Sequence, residues 1–200
     1  MASPSRIGQA MTLEEFLELP DIDEPPYLEF IDGRIEAKVS PQKKHSRLAT
    51  RLITHLSQFA EPAGLGSAFV ELRCTFAGRS IVPDVVFLLA EHILADQAGE
   101  IADETPCPPD IHVEIISPKQ GMGQAAEKLL HSTAHGCPLG WLIHPYRKRV
   151  DVYRPGRPVE HLASDGVLEG EPVLPGFRLP VAEIFGWLIY RRPEPGAETA

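Results

Sequence analysis

Apolar residues recur at helical spacing in several segments of the chain. Residues 46–60 carry them every three to four positions, which predicts an amphipathic helix that ends before Pro62. A second helix is predicted over residues 123–135, with Gly136 in the position of a C-cap. Near the N-terminus Thr12 and Glu15 match a capping box, so residues 11–19 are predicted as a short helix stopped by Pro20. A last short helix is expected at residues 181–185.

Alternating or continuous apolar runs predict the strands. The Asp32-Gly33 pair lies between two alternating segments, which indicates a β-hairpin within residues 27–40. Further strands are expected at residues 67–77, 81–89, 110–117, 140–145 and 149–155, and the rest of the C-terminal part is expected to form turns. This order predicts an α/β fold: a central mixed β-sheet flanked by helices, with an N-terminal helix and hairpin. We expect a single domain over residues 11–190, between disordered tails at 1–10 and 191–200.

Composition narrows the class of protein. The 43% hydrophobic content is ordinary for a globular chain. There is no apolar run of about 18 residues and no secretory signal, so a membrane span is not expected. Three unevenly spaced cysteines do not suggest a disulfide framework, which favours a reduced, cytoplasmic protein.

The net charge of −9 counts against a protein that coats nucleic acid through its overall field. The charge is unevenly spread, however: residues 38–51 carry five Lys or Arg and no acid, and residues 147–157 carry five with one acid. Such local patches could bind phosphates, or they could be ordinary solvated surface.

Two carboxylates lie within apolar strand segments. Asp84 is surrounded by valines and a phenylalanine, and Glu114 by valine and isoleucines. Burying an unpartnered carboxylate is costly, so such acids are usually paired, hydrogen-bonded or metal-bound. If the two strands are neighbours with matching faces, the carboxylates converge and suit Mg²⁺ or Mn²⁺. The alternative is that each acid lies at a strand end and meets solvent or an arginine.

Five segments, in order, resemble the Uma-two family of restriction endonuclease-like proteins, within the PD-(D/E)XK nuclease superfamily. They are YLEFIDGRI, KKHSRLATRLITHL, VPDVVFL, PPDIHVEIISP and EKLLHSTAHGCPLGWLIHP, and the resemblance spans roughly residues 10–187. It implies a restriction-endonuclease-like core in which Asp84 and Glu114 are catalytic metal ligands. The superfamily's usual lysine, two residues after the glutamate, is replaced here by Ile116. The family lysine on the following helix points to Lys128 as the third catalytic residue.

The resemblance also implies roles for residues nearer the N-terminus. Glu29 matches an upstream acid that can serve as an outer ligand, although a surface strand acid would look the same. His45, with Lys44 before it, is expected to contact substrate phosphate; the alternative is a histidine at a helix start that faces water. Two departures weaken the assignment of Lys128: Gln124 replaces the family's aspartate, and Ser132 replaces its tyrosine.

These residues predict a Mg²⁺- or Mn²⁺-dependent endonuclease that hydrolyses DNA phosphodiester bonds. Two alternatives are a non-catalytic binding or regulatory module that retains the fold, and a metal-dependent phosphodiesterase acting on RNA or small phosphoesters. A homodimer is expected by analogy alone. A zinc cluster of His131, His135 and Cys137 is disfavoured because no CxxC pair supplies further ligands.

Overall fold

A computed structural model of the protein describes residues 6–38, 40–118 and 122–190. The helices are α1 (Leu13–Leu17), α2 (Lys43–Ala60), α3 (Met122–Ala134) and α4 (Val181–Gly186). The strands are β1 (Leu28–Ile31), β2 (Arg34–Ala37), β3 (Gly66–Val70), β4 (Cys74–Phe76), β5 (Arg79–Ile81), β6 (Val85–Leu89), β7 (Ile111–Ile115), β8 (Leu139–His144), β9 (Arg149–Tyr153), β10 (Glu160–Leu162), β11 (Val167–Glu169) and β12 (Arg178–Pro180). The predicted α/β class is confirmed.

The main sheet has six strands in the order β10-β9-β8-β7-β6-β3. It is mixed, because β7 and β8 run parallel while the other neighbours are antiparallel. Helix α3 is the crossover between the parallel pair, as such a connection requires. A smaller sheet follows the order β2-β1-β5-β4, and β11 pairs with β12 alone.

Side chains alternate between the two faces of the main sheet and fill different cores. One face packs against α2, α4 and the β11–β12 pair around Phe87, Trp141 and Phe177. The opposite face is shared by two elements. Helix α3 covers the β7–β9 region through Leu129 and Leu142, and the smaller sheet covers part of β6. The second face therefore has a boundary between α3 and the smaller sheet.

The N-terminal elements form as their local signals predict. Thr12 and Glu15 make the reciprocal hydrogen bonds of a capping box at the start of α1. Asp32 and Gly33 both have positive φ, at 49° and 80°, as the tight turn of a two-residue hairpin requires. The hairpin pairs Glu29 with Glu36, so these two side chains lie on the same face.

Two strand predictions are wrong in the same way. Residues 81–89 do not form one strand: β5 ends at Ile81 and belongs to the smaller sheet, while β6 begins at Val85 in the main sheet. Residues 67–77 are likewise divided between β3 and β4. Pro83 lies in the first gap and has no N–H to donate to a ladder, which explains why the chain changes sheets there.

The C-terminal part was predicted as turns, and this is also wrong for three short segments. They form β10, β11 and β12, each three residues long. Runs this short carry too few alternations for a period to be recognised. The strand β10 completes one edge of the main sheet by pairing with β9.

The predicted tails lie largely outside the described residues, namely 1–5 and 191–200. Residues 6–10, which the sequence places in the N-terminal tail, lie against the hairpin. Arg6 contacts Asp21 at 2.7 Å, the Gly8 N–H donates to the Ile35 carbonyl, and Ala10 bridges to Arg34. Among the described residues, no helix is long and apolar enough to cross a membrane.

Candidate active site

Charged side chains from both sheets and two helices line one pocket at the boundary between α3 and the smaller sheet. They include every predicted site residue except Lys44, together with residues from the hairpin. The charged and histidine side chains of the lining are Glu29, Glu36, Lys38, His45, Asp84, Glu114 and Lys128. The pocket is therefore built from segments that lie far apart in the sequence.

The sheet register explains why the two predicted carboxylates meet. Strand β6 pairs with β7 so that Val85 lies opposite Val113. One further step in this antiparallel register places Asp84 opposite Glu114, on the same face of the sheet. The Ile115 N–H donates to Asp84 Oδ2 at 2.7 Å, which ties the start of β6 to the end of β7.

Asp84 is only 4% exposed, and both of its carboxylate oxygens have polar partners. Its Oδ1 accepts from Lys38 Nζ at 2.7 Å. Its Oδ2 lies 2.8 Å from His45 Nε2, in addition to the Ile115 N–H. Burial alone would raise the pKa of the Asp84 carboxyl, but Lys38 and His45 outweigh it and hold that pKa well below its ordinary value.

Glu114 has a different arrangement, with one oxygen occupied and the other free. Its Oε1 receives Lys128 Nζ at 2.7 Å and lies 3.0 Å from His112 Nε2. Its Oε2 is buried and has no hydrogen-bond partner. Burial opposes ionisation, and the Asp84 carboxylate does so too, but Lys128 and His112 together lower the pKa of Glu114. The carboxylate is therefore ionised and presents one unsatisfied oxygen.

Lys128 connects this pair to the hairpin. Its Nζ also lies 3.1 Å from Glu29 Oε1, and Glu29 in turn accepts the Val82 N–H at 2.7 Å. Burial would lower the pKa of the Lys128 ammonium, but Glu114, Glu29 and Asp84 reverse this and raise it above the ordinary lysine value. Helix α3 thus places Lys128, at 3% exposure, inside the pocket.

The sequence interpretation missed Lys38. This residue directly follows β2, and its Nζ donates to the Val82 carbonyl as well as to Asp84. A signal was present: Lys38 continues the alternation of Glu36, on the hairpin face that also carries Glu29. Lys44, by contrast, is exposed, and its Nζ lies 4.5 Å above the ring of Tyr146 rather than in the pocket.

The donor set fits a hard divalent cation with an incomplete protein shell. Two carboxylates offer about four lone-pair positions each. Asp84 uses three of them and Glu114 uses two, and the buried Oε2 of Glu114 is free. Within the described residues no group of three or more His, Cys, Asp or Glu side chains is arranged to hold a metal by itself. Mg²⁺ commonly takes one or two carboxylates and leaves its other positions to water and phosphate.

Comparison with known proteins identifies the family of the chain. The model of the Uma2 family, described as "Putative restriction endonuclease", matches residues 13–182, which is most of the chain. The chain belongs to the Uma2 family. This is the Uma-two resemblance of the motifs, now confirmed. Uma2 membership supports a hydrolase that acts on nucleic acid, and restriction-endonuclease-like families generally use divalent metals.

A solved structure is similar over nearly the whole Uma2 domain. It is the crystal structure of a "putative nuclease belonging to DUF820" from Anabaena variabilis ATCC 29413, with a TM-score of 0.86 and 35% sequence identity. The match covers 90% of this chain and 99% of that chain. A search of curated proteins gave no match.

The disfavoured zinc cluster is not formed. The rings of His131 and His135 contact each other in a tilted arrangement, with centroids 4.3 Å apart. The Cys137 thiol is buried and lies 3.2 Å from the Leu139 carbonyl. Burial raises the pKa of this thiol to about 12, which opposes formation of the thiolate that zinc requires.

Proposed function

We propose that the chain is a divalent-metal-dependent endonuclease that hydrolyses DNA phosphodiester bonds. The observation that carries this proposal is the buried, unpartnered Oε2 of Glu114, which lies on the same sheet face as the Asp84 carboxylate. Asp84 and Glu114 would hold Mg²⁺ or Mn²⁺. When bound, the cation would polarise a phosphodiester and lower the pKa of a water molecule.

Lys128 would serve as the charged partner of the reaction. Its ammonium is held in place by Glu114 and Glu29 at 2.7 and 3.1 Å. Because these carboxylates raise its pKa, Lys128 stays protonated at neutral pH and cannot act as a general base. Its role would be to orient the attacking water and to stabilise negative charge on the phosphate. Glu29 would position Lys128 rather than bind the metal.

His45 would link the metal ligands to the substrate. Its Nε2 contacts Asp84, whereas its Nδ1 is buried and has no hydrogen-bond partner. Lys44, which precedes His45 in α2, is exposed and contacts Tyr146 in the β8–β9 turn. This contact brings together the two basic segments of the sequence, so Lys44 and Lys148 could follow a phosphate backbone on one surface. Both residues are exposed.

Cleavage of supercoiled plasmid with Mg²⁺ or Mn²⁺ tests the proposal. We expect cleavage by the wild type and a loss of about 100-fold or more in Glu114→Gln, because a side chain that binds the metal directly contributes several kcal/mol. Glu91→Gln is the matched control, since Glu91 is exposed just beyond the other end of β6. Equal cleavage by Glu114→Gln and wild type would refute a nuclease role for this site.

A non-catalytic binding module is the second candidate. The observation that favours it is that the ammonium groups of Lys38 and Lys128 already neutralise the two carboxylates without a metal ion. It predicts no Mn²⁺ affinity in calorimetric titration. Binding that is lost in Glu114→Gln would argue against it. Single-stranded RNA and a small phosphodiester, tested beside the plasmid, distinguish DNA from other phosphoester substrates.

A further inference from the structure

The buried side chains of Ser132, His112 and Glu114 form a continuous hydrogen-bonded chain. The Ser132 hydroxyl lies 2.7 Å from His112 Nδ1, and His112 Nε2 lies 3.0 Å from Glu114 Oε1. Ser132 and His112 are fully buried, and Glu114 is 1% exposed. None of the roles assigned above uses Ser132 or His112.

The fold places these groups together by two simple repeats. His112 and Glu114 are two residues apart on β7, so they share one face of the strand. Ser132 follows Lys128 by four residues on α3, so both project from the same face of that helix. Lys128 and Ser132 are thus one helical turn apart on α3. Lys128 contacts Glu114 Oε1 directly, and Ser132 contacts His112, which contacts the same oxygen.

The positions of the protons along these hydrogen bonds follow from Glu114. Glu114 is ionised and can only accept, so His112 Nε2 must donate its proton to Oε1. In a neutral imidazole Nδ1 is then the acceptor, and the Ser132 hydroxyl donates to it. Glu114 therefore fixes the tautomer of His112, Ser132 restrains the imidazole ring from its other side, and His112 restrains the orientation of the carboxylate.

We propose that Ser132 and His112 are positioning residues that lock the Glu114 carboxylate so that only Oε2 faces a metal ion. The inference rests on the proposed function. The terminal torsion of a glutamate is broad, so the plane of an unrestrained carboxylate rotates over a wide range. With Lys128 and His112 both on Oε1, that rotation would break two hydrogen bonds. The oxygen without a partner is therefore held in one direction.

The first test compares two neighbouring hydroxyls on α3. Ser132→Ala removes the donor to His112, whereas Thr133→Val removes a buried hydroxyl that donates only to helix carbonyls such as Leu129 O. Loss of an outer partner of a metal ligand typically weakens metal binding by about 10- to 100-fold. We expect Mn²⁺ affinity, measured by calorimetry, to fall by that range in Ser132→Ala, and by no more than about twofold in Thr133→Val.

The second test changes His112 and leaves α3 intact. His112→Gln keeps an amide donor for Glu114, whereas His112→Leu removes it. We expect His112→Gln to retain Mn²⁺ affinity within about threefold of the wild type and His112→Leu to lose about 10-fold or more. This pair decides the question even if Ser132→Ala does not fold. Nitrogen NMR of His112 adds a direct readout: because Glu114 accepts from Nε2, the Nε2–H tautomer should dominate in the wild type and in Ser132→Ala, and a dominant Nδ1–H tautomer would contradict this arrangement.

The outcomes separate the two proposals. If the wild type binds Mn²⁺, Glu114→Gln does not, and both Ser132→Ala and His112→Leu bind like the wild type, the positioning role is overturned and the metal site stands. If the wild type binds no Mn²⁺, the proposed function fails and this inference fails with it. A selective loss in Ser132→Ala and His112→Leu supports the positioning role.

Discussion

Asp84 and Glu114 stay ionised in a buried pocket because each has an ammonium group within 2.7 Å. Removing one member of such a buried pair leaves an uncompensated charge and typically costs about 3–5 kcal/mol. Lys38 and Lys128 are therefore structural partners of the acids whatever else they do. The difference between the acids lies in the oxygen that remains free, which belongs to Glu114.

The anomaly of two acids in apolar strands was sufficient to predict from the sequence that Asp84 and Glu114 have polar partners, since burial of a carboxylate demands a reason. Their role as metal ligands stays a prediction. Lys38 could not be predicted in the same way. Its partner Asp84 is 46 residues away, and the two meet only when the smaller sheet packs on the main one. A lysine after a surface hairpin has no anomaly of its own.

Asp151 is a second buried acid with several partners, and it lies outside the pocket. It accepts from Arg149 and pairs with His144 and His161 at 2.9 and 2.6 Å. Burial would raise the pKa of Asp151, but the hydrogen bonds from His161 and His144 lower it below its ordinary value of 3.8. Its folded-state pKa is thus depressed, so its stabilisation is present above 3.8 and is lost as the pH falls through the lower, folded value.

Replacing Asp151 with asparagine should therefore destabilise the protein in a pH-dependent way. We expect Asp151→Asn to lower the free energy of unfolding by about 2 kcal/mol at pH 7, because charge-assisted hydrogen bonds are lost. The deficit relative to wild type should shrink below a pH of about 4. Urea unfolding from pH 7 to pH 3 measures both. Asp165→Asn, at an exposed turn, is the control; a deficit that stays constant with pH would contradict the assignment.

At the scale of elements, the decisive feature is the change of sheet between β5 and β6. Apolar periodicity predicted one continuous strand because Val82 and Val85 are both buried and apolar. Periodicity reports burial but not which sheet a residue joins. Pro83 was the available signal, since proline is rarely tolerated inside a central strand. At this break the Asp84 carboxylate, rather than a backbone carbonyl of β6, accepts the Ile115 N–H.

Strand β3 reaches β6 through a close backbone approach at Gly66. This residue has φ near 151°, and a Cβ placed there would lie 2.0 Å from the Leu88 carbonyl oxygen. The clash is with backbone, so no side-chain rotation relieves it. With any side chain at residue 66, the edge strand β3 would have to move away from β6, the strand that follows Asp84.

Gly66→Ala should consequently destabilise the fold by more than about 2 kcal/mol. Gly123→Ala is the matched control, because Gly123 lies in α3 with nothing within 4 Å of the added methyl group. There the substitution should stabilise the protein by up to about 1 kcal/mol, through helix propensity. Chemical denaturation of both variants gives the two values. Similar stability for Gly66→Ala and wild type would show that β3 and β6 are less closely apposed than in the structure.

At the scale of the whole molecule, net charge and local charge give opposite expectations. The charge of −9 disfavours nonspecific association with DNA. The contact between Lys44 and Tyr146 nevertheless joins two basic segments on one surface. Sequence could identify each basic segment but not their juxtaposition, since about 100 residues separate Lys44 from Lys148. The homodimer expected by analogy stays a prediction.

If Lys44 and Lys148 contact phosphates, DNA binding should weaken steeply as salt increases. We expect the double variant Lys44→Gln/Lys148→Gln to reduce the slope of log K against log salt by about 1.8, at about 0.9 for each lost contact. Fluorescence anisotropy with a duplex in EDTA measures binding without cleavage. Arg178→Gln removes a positive charge from β12, outside both basic segments, and should leave the slope unchanged. An unchanged slope in the double variant would place the DNA elsewhere.

The pocket draws Glu29 and Lys38 from the hairpin, and Glu114 and Lys128 from β7 and α3. In a chain whose smaller sheet has not yet docked, both proposed metal ligands are present. Lys38 does not yet contact Asp84, however, and Glu29 does not yet contact Lys128. If the protein cuts DNA as proposed, such a half-folded polypeptide would not yet be able to cleave the genome of the cell that makes it. Toxicity on overproduction should then track the docked fraction, not the amount synthesised.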